Sequence, residues 1–166
     1  MKRLIPLLLI LLLTASYYPS YKASGRNHIA VSEHLQPYYN EFVEIADKNN
    51  LEIDWSRIKS VDLVPLAHNI QGYWSRASET VMISYYYTFP MLVTLTKEEK
   101  DDLILMTLAH EIGHSQGWKH TNPDHMGLMN PSARFDMTAL RGMGAEAYIV
   151  ICFKAEAAKA NKKPLD

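Results

Sequence analysis

Apolar residues recur every three or four positions in three segments of the chain, which is the spacing of one helix face. The first segment, SEHLQPYYNEFVEIADKNN, begins at Ser32 and ends at the Asn49–Asn50 pair. Pro37 stands in its first turn, where a missing N–H costs little. The last segment, AEAYIVICFKAEAAKANKK, follows Gly144, and its charged residues interrupt an apolar stretch too short to span a membrane. Both segments predict helices that pack against a core.

The middle segment, TKEEKDDLILMTLAHEIGHSQG, carries the clearest helix signals. Thr96 is followed three residues later by Glu99, the pattern of a capping box at a helix start. Leu105 and Ile112 lie on one face, which we expect to point to the core. Gly117 can end the helix in a left-handed conformation. The pattern therefore predicts a helix that begins after Thr96 and stops at Gly117.

Two short runs rich in β-branched and aromatic residues, VDLVPL (residues 61–66) and ETVMISYYY (residues 79–87), predict strands. The intervening HNIQGYWSRAS has the composition of a turn. Together with the three helices, these strands predict one α+β domain, built on a small twisted sheet and cut by a shallow cleft.

The first residues, MKRLIPLLLILLLTAS, have the layout of a secretory signal peptide. Lys2 and Arg3 precede an apolar run from Leu4 to Leu13, which is much shorter than the roughly 20 residues of a membrane-spanning helix. This favours cleavage and export to the periplasm or the exterior, with an uncleaved N-terminal membrane anchor as the alternative. We assign residues 1–23 to the signal peptide and a short leader, and residues 24–166 to a single domain.

Charge and cysteine content exclude several classes of protein. The formal net charge is -1, so the chain lacks the basic excess of a nucleic-acid binder. Cys152 is the only cysteine, so no disulfide can form within the chain. We expect a monomeric domain that depends on its core for stability.

Candidate chemistry is concentrated in HEIGHSQGWKH, residues 110–120. His110 and His114 are four residues apart, so both imidazoles project from the same helix face and can bind one zinc ion. A catalytic zinc takes three protein ligands and keeps one position open. Gly117 can turn the chain after the helix and let His120 swing back as the third ligand.

Glu111 stands next to the first of these histidines, on the open side of the predicted metal. Its carboxylate is near enough to take a proton from a metal-activated water and to deliver it to a leaving amine. The sequence therefore predicts a general base beside three zinc ligands, a combination that can hydrolyse a peptide bond.

HEIGHSQGWKH matches the signature H-E-x-x-H-x-x-G-x-x-H, and GLMNP places a methionine nine residues after the third histidine. In these motifs the chain resembles the metzincin zinc metallopeptidases, and GLMNP is closest to the methionine turn of the matrixin branch. The likeness covers residues 103–131, and Thr121 departs from the serine of matrixins. It implies a zincin domain with a mixed sheet. It also implies one zinc held by His110, His114 and His120, with Glu111 as the base and Met129 as an apolar floor.

Three alternatives within this site stay open. Met126 could form the methionine turn, although the Asn-Pro pair that follows Met129 favours the later methionine. His125 could replace His120 as third ligand, and Glu146 could supply a carboxylate ligand from the last helix.

The resemblance also implies an edge strand that pairs with an extended substrate. We assign this role to the strand before the metal helix, and a position interior to the sheet is the alternative. The residues expected to present backbone groups to peptide are Val81, Met82, Ile83, Ser84 and Tyr85.

These observations predict an exported zinc endopeptidase that cuts a peptide or protein substrate through metal-activated water. A non-catalytic zinc module that holds a binding surface is the alternative from another class, and a membrane-anchored processing factor is a third. Replacement of Glu111 separates the first two: a peptidase would lose hydrolysis, whereas a binding module would keep its binding.

Overall fold

A computed structural model describes residues 21–23, 28–67, 70–85, 95–121, 127–130 and 142–160. Within these ranges the chain forms five strands, three α-helices and two short 3₁₀-helices. None of the described helices is long and apolar enough to cross a bilayer. The predicted signal peptide lies outside the described residues.

The three predicted helices are present. Helix α1 spans Gln36–Lys48 after a 3₁₀ turn at Glu33–Leu35, and Pro37 lies in its first turn. Helix α2 spans Lys97–Ser115 and begins at the predicted capping box. Helix α3 spans Ala145–Ala160. Local sequence signals therefore placed each of these helices within a few residues.

The described strands form one mixed sheet in the order β1-β2-β3-β5-β4. Their bounds are β1 Tyr21–Ala23, β2 Ala30–Ser32, β3 Ser60–Val64, β4 Gly72–Ser75 and β5 Thr80–Ser84. The central pairs β2–β3 and β3–β5 are parallel, whereas β1 and β4 run antiparallel to their neighbours. Helix α1 makes the crossover between β2 and β3, as a parallel pair requires.

The edge-strand prediction for Val81–Tyr85 is wrong. Strand β5 lies between β3 and β4, and both of its edges are paired. The stretch predicted as a turn contains β4, which folds back along β5 and occupies the edge in its place. The alternative of an interior strand is what the structure shows. The edge strand beside the helix that carries the histidines is therefore β4, Gly72–Ser75.

The leader prediction extends too far into the chain. Strand β1, Tyr21–Ala23, falls inside the segment assigned to the leader, yet it pairs with β2. The fold therefore includes Tyr21, three residues before the predicted boundary at residue 24. Each of these two strands has three residues, which is too short for an alternating pattern to emerge.

Helix α2 is the centre of the molecule. Residues 104–113 are all buried, so the helix is covered on all sides and not on one face alone. It packs against α1, α3, β4 and β5. The covered residues include the polar side chains of Thr107, His110 and Glu111. Buried polar groups of this kind need partners, and their partners define the candidate site.

The capping box at the start of α2 offers a first test of this framework. Thr96 Oγ1 accepts the Glu99 N–H at 3.2 Å, and Glu99 Oε2 accepts the Thr96 N–H at 2.9 Å. Thr96→Ala removes half of the box, so we expect the free energy of unfolding of metal-free protein to fall by about 1 kcal/mol. Thr96→Ser keeps the hydroxyl and should stay within roughly 0.5 kcal/mol of the parent. Urea denaturation measures both, and equal losses would contradict the capping role.

Candidate metal centre

The three predicted histidine ligands converge at the C-terminal end of α2. His110 and His114 project from the last turns of the helix, and His120 returns to them beyond its end. The Nε2 atom of His114 lies 3.0 Å from that of His110 and 3.0 Å from that of His120. In the part of the chain that the structure describes, these three side chains form the group able to hold a metal ion, with their ligand atoms within 4.8 Å of one another.

Backbone carbonyls fix the orientation of two of the rings. The Nδ1 atom of His110 is hydrogen-bonded to the carbonyl oxygen of Leu128. The Nδ1 atom of His114 is hydrogen-bonded to the carbonyl oxygen of Trp118 at 2.8 Å. A carbonyl oxygen only accepts, so Nδ1 carries the hydrogen in both rings. In a neutral imidazole the lone pair then lies on Nε2, the atom that points to the other histidines.

Burial keeps both of these rings neutral. It lowers the pKa of His110 to about 4, although the hydrogen bond to Leu128 acts in the opposite direction. It also lowers the pKa of His114, against the hydrogen bond to Trp118 and with help from the nearby His120. The two lone pairs are therefore available at neutral pH.

Two neutral Nε2 atoms 3.0 Å apart repel each other, because neither has a hydrogen to share. A cation bound to both lone pairs removes this repulsion. Two nitrogens that bind one tetrahedral zinc at the usual bond length lie about 3.3 Å apart, close to the spacing of these atoms. Imidazole donors suit zinc and neighbouring transition metals. The three histidines therefore fit one such ion.

Gly117 redirects the chain from the helix to His120. Its φ of 90° lies in the left-handed region that favours glycine. The Gly117 N–H donates to the carbonyl of His114 at 2.9 Å, and the Trp118 N–H donates to that of Gly113 at 3.2 Å. These bonds close the end of α2 and turn the following residues back toward it.

Met129 lies against α2 at Gly113. A Cβ at Gly113 would be 2.8 Å from Met129 Sδ and 2.8 Å from Trp118 Cε3, so only glycine leaves room for both side chains. Trp118 also packs edge-on against Phe153, with ring centroids 4.7 Å apart. The Thr121 N–H donates to the carbonyl of Met129 at 2.9 Å. This hydrogen bond joins the residue after the third histidine to residues 127–130, which we call the methionine segment.

Glu111 is buried between α2 and β4. Its Oε1 lies 4.0 Å from Nε2 of His110, and its carboxylate accepts the backbone N–H of Trp74. Burial raises the pKa of Glu111 to about 8, while the Trp74 hydrogen bond acts in the opposite direction. The carboxyl group thus favours its neutral form until positive charge is placed beside it.

A cleft of about 350 Å³ lies along this site. Strand β4 and the turn after it form one part of its wall, and residues 117–120 form another. Glu111 and His114 also line it, so the candidate base and a candidate ligand face the same space. The cleft is open to solvent and has room for a water molecule and part of a peptide.

The structure separates Glu146 from the histidines. Glu146 accepts hydrogen bonds from Lys48 at 2.8 Å and from Asn49 at 3.3 Å, and it is absent from the metal-binding group of the described residues. The proposal of a carboxylate ligand from α3 is therefore wrong. His125 and Met126, named in the other two alternatives, lie outside the described residues.

The sequence did not identify the groups that hold this site in place. Three of them, the carbonyls of Leu128 and Trp118 and the N–H of Trp74, are backbone groups, which carry no residue-specific signal. The fourth is Gly72, which lies with Trp74 on β4 in the stretch that the sequence predicts as a turn. The usable signal was QGYWS, where a glycine precedes two aromatic residues, because an isolated glycine in a strand marks a close approach.

Comparison of the chain with protein-family models, with curated proteins and with solved structures gives no match. The histidine motif and the geometry of the side chains around it are therefore the observations that indicate a metal centre.

Removal of one histidine tests the ligand set. The Nε2 of His114 is close to both other ligand atoms, so His114→Ala should lower zinc affinity by about 100-fold or more. His34→Ala serves as the matched control, because His34 is exposed in the 3₁₀ turn before α1. Competition with a chromophoric chelator measures both affinities. Equal affinity in the two variants would exclude His114 as a ligand.

Glu111 makes the stability of metal-free protein depend on pH. Its folded pKa of about 8 lies above the ordinary value of 4.5, so between these values the folded state holds a proton that the unfolded state releases. Its contribution to stability is complete below pH 4.5 and is lost as the pH rises through 8. Glu111→Gln removes this dependence. We expect it to be more stable than the parent by roughly 1–3 kcal/mol at pH 8, and near parity at pH 5.

Urea denaturation in the presence of a chelator, at a series of pH values, measures this difference. His110 and His114, whose pKa values burial lowers, are present in both proteins, so their contributions to the pH dependence of stability cancel in the comparison. A stability difference that stays constant from pH 5 to pH 8 would show that burial does not raise the pKa of Glu111.

Proposed function

We propose that this protein is an exported zinc endopeptidase of the metzincin type, with Glu111 as its general base. One observation carries the proposal: the Nε2 atom of His114 lies 3.0 Å from those of His110 and His120, with a buried carboxyl group 4.0 Å from Nε2 of His110. Three protein ligands leave a fourth position for a reacting molecule, as catalytic zinc requires. The signature motif supports the same assignment.

His110, His114 and His120 would hold the zinc ion. When bound, zinc supplies Lewis acidity, which makes a water molecule a better nucleophile at neutral pH and stabilises negative charge on the scissile carbonyl oxygen. The carbonyls of Leu128 and Trp118 orient two of the ligands and raise their basicity. The protein thereby sets the position of the site through backbone atoms.

Glu111 carries the proton in this mechanism. A cation bound by the three histidines would favour the carboxylate form of Glu111, which is the form that accepts a proton. One carboxylate oxygen accepts a proton from the attacking water, and the carboxyl group then donates it to the nitrogen of the leaving amine. Three bonds change at the substrate: a carbon–oxygen bond and a nitrogen–hydrogen bond form, and the carbon–nitrogen bond breaks. Glu111 returns to its carboxylate form at the end of the cycle.

The edge of β4 is the proposed docking site for the substrate backbone. It borders the cleft, and its outer side has no paired strand among the described residues. An extended peptide can add to such an edge through main-chain hydrogen bonds to the outward groups other than the Trp74 N–H, which Glu111 occupies. This brings a peptide bond alongside Glu111 and His114. The earlier assignment of this role to β5 is replaced.

Hydrolysis of an unstructured protein tests the function. We expect zinc-loaded protein to cleave casein, and Glu111→Ala to bind zinc equally well but to lose at least about 1,000-fold of that activity. His34→Ala should retain full activity. Gel electrophoresis and the release of new amino termini measure cleavage, and metal analysis measures zinc.

The other outcomes separate the alternatives. Zinc in both proteins without cleavage of casein or of a diverse peptide library would indicate a non-catalytic zinc module. Cleavage that survives in Glu111→Ala would exclude Glu111 as the base. Protein that binds no zinc would overturn the whole assignment.

A further inference from the structure

Gly72 on β4 lies directly against the side chain of Glu111. A Cβ atom at Gly72 would be 2.7 Å from Glu111 Oε1, 2.8 Å from Glu111 Cγ and 2.9 Å from Thr107 Cγ2. All three distances are shorter than the roughly 3.5–4.0 Å at which carbon atoms normally meet. A side chain at this position is therefore incompatible with the present place of Glu111.

The requirement for glycine at this position comes from contact and not from backbone conformation. Gly72 does not adopt a left-handed φ, unlike Gly117 at the end of α2. Alanine could take the backbone conformation of Gly72 without strain, so only the approach of α2 excludes it. Glycine is therefore required at position 72 because of a close contact, and it is favoured at position 117 because of the backbone conformation.

The groups that Gly72 faces are held in place. Thr107 Oγ1 donates to the carbonyl of Leu103 at 2.8 Å, which fixes the rotamer that turns the Thr107 methyl toward β4. The Glu111 carboxylate accepts the Trp74 N–H from the same strand. The contact with Glu111 involves Oε1, the far end of a long side chain, whereas Thr107 is short and held close to the helix backbone. A Cβ at Gly72 would therefore displace Glu111 more readily than the backbone or Thr107.

The outer edge of β4, which pairs with no strand among the described residues, explains how this strand can hold the carboxylate. The Ser84 N–H donates to the carbonyl of Gln71 at 2.8 Å, so this pair is joined by hydrogen bonds across the β4–β5 ladder. Backbone groups alternate in direction along an antiparallel strand. Those of Gly72 and Trp74 therefore point away from β5, to the side where the Glu111 carboxylate binds the Trp74 N–H.

We propose that Gly72 is a positioning residue for Glu111. The missing side chain at Gly72 lets the carboxylate dock on the edge of β4, where the Trp74 N–H holds it 4.0 Å from Nε2 of His110. The catalytic consequence rests on the proposed peptidase function. The contact itself does not, so the two are tested by separate measurements.

Kinetics of Gly72→Ala test the positioning role. We expect kcat to fall by about 10- to 100-fold, because a displaced base transfers the proton poorly, while KM stays within about two-fold and zinc content is unchanged. Gly142→Ala is the matched control, since a Cβ there meets nothing within 4 Å, and it should keep the parental kcat. A parental kcat in Gly72→Ala, or an equal loss in both variants, would overturn the proposal.

Thermal unfolding of metal-free protein tests the contact without any activity. Gly72→Ala should lower the Tm by about 4–8 °C in the parent and by less than half as much in a Glu111→Ala background, because the largest clash is then gone. An equal loss in both backgrounds would contradict the proposal. If Gly72→Ala does not fold, the double variant should fold, and its failure to do so would also overturn the proposal. An inactive parent with the coupled Tm loss would sink the peptidase function alone.

Discussion

Two backbone carbonyl groups determine what the end of α2 can bind. The carbonyls of Leu128 and Trp118 accept hydrogen bonds from Nδ1 of His110 and His114, which turns the lone pair of each ring toward the other. At a separation of 3.0 Å these lone pairs repel unless a cation lies between them. Burial prevents the simplest relief, protonation, by lowering the pKa of both rings. A cation bound to both lone pairs would remove this repulsion, so the arrangement of the two rings suits a metal ion.

The rest of the fold places groups around this constraint. Residues 104–113 of helix α2 are all buried, so His110 and Glu111 are shielded from solvent except along the cleft. The methionine segment passes under the helix where Gly113 leaves room for Met129, and Gly117 sends the chain back to the third histidine. Strand β4 approaches from the opposite side, and the Trp74 N–H on its outer edge holds Glu111. Small side chains or none at all are needed wherever a second element comes this close.

Local patterns predicted what depends on neighbours in sequence. The histidine spacing, the Thr96–Glu99 box and the stop at Gly117 are properties of a single helix and its end, so α2 and the three candidate ligands could be predicted without a structure. The partners of these groups could not, because Leu128 lies 18 residues from His110 and contributes only a backbone oxygen. Strand β4 was missed for a related reason: its four residues take their strand character from pairing with β5, and its glycine serves a contact with α2. Tertiary contacts of this kind leave no periodic trace.

Anomalous diffraction at the zinc absorption edge, from crystals of protein loaded with equimolar zinc, would show directly whether the three histidines bind the metal. We expect one strong peak about 2.0–2.1 Å from Nε2 of each of His110, His114 and His120, with Glu111 outside the coordination sphere. A peak bound through other atoms, a zinc ligated by the Glu111 carboxylate, or the absence of any peak among the three histidines would contradict this expectation.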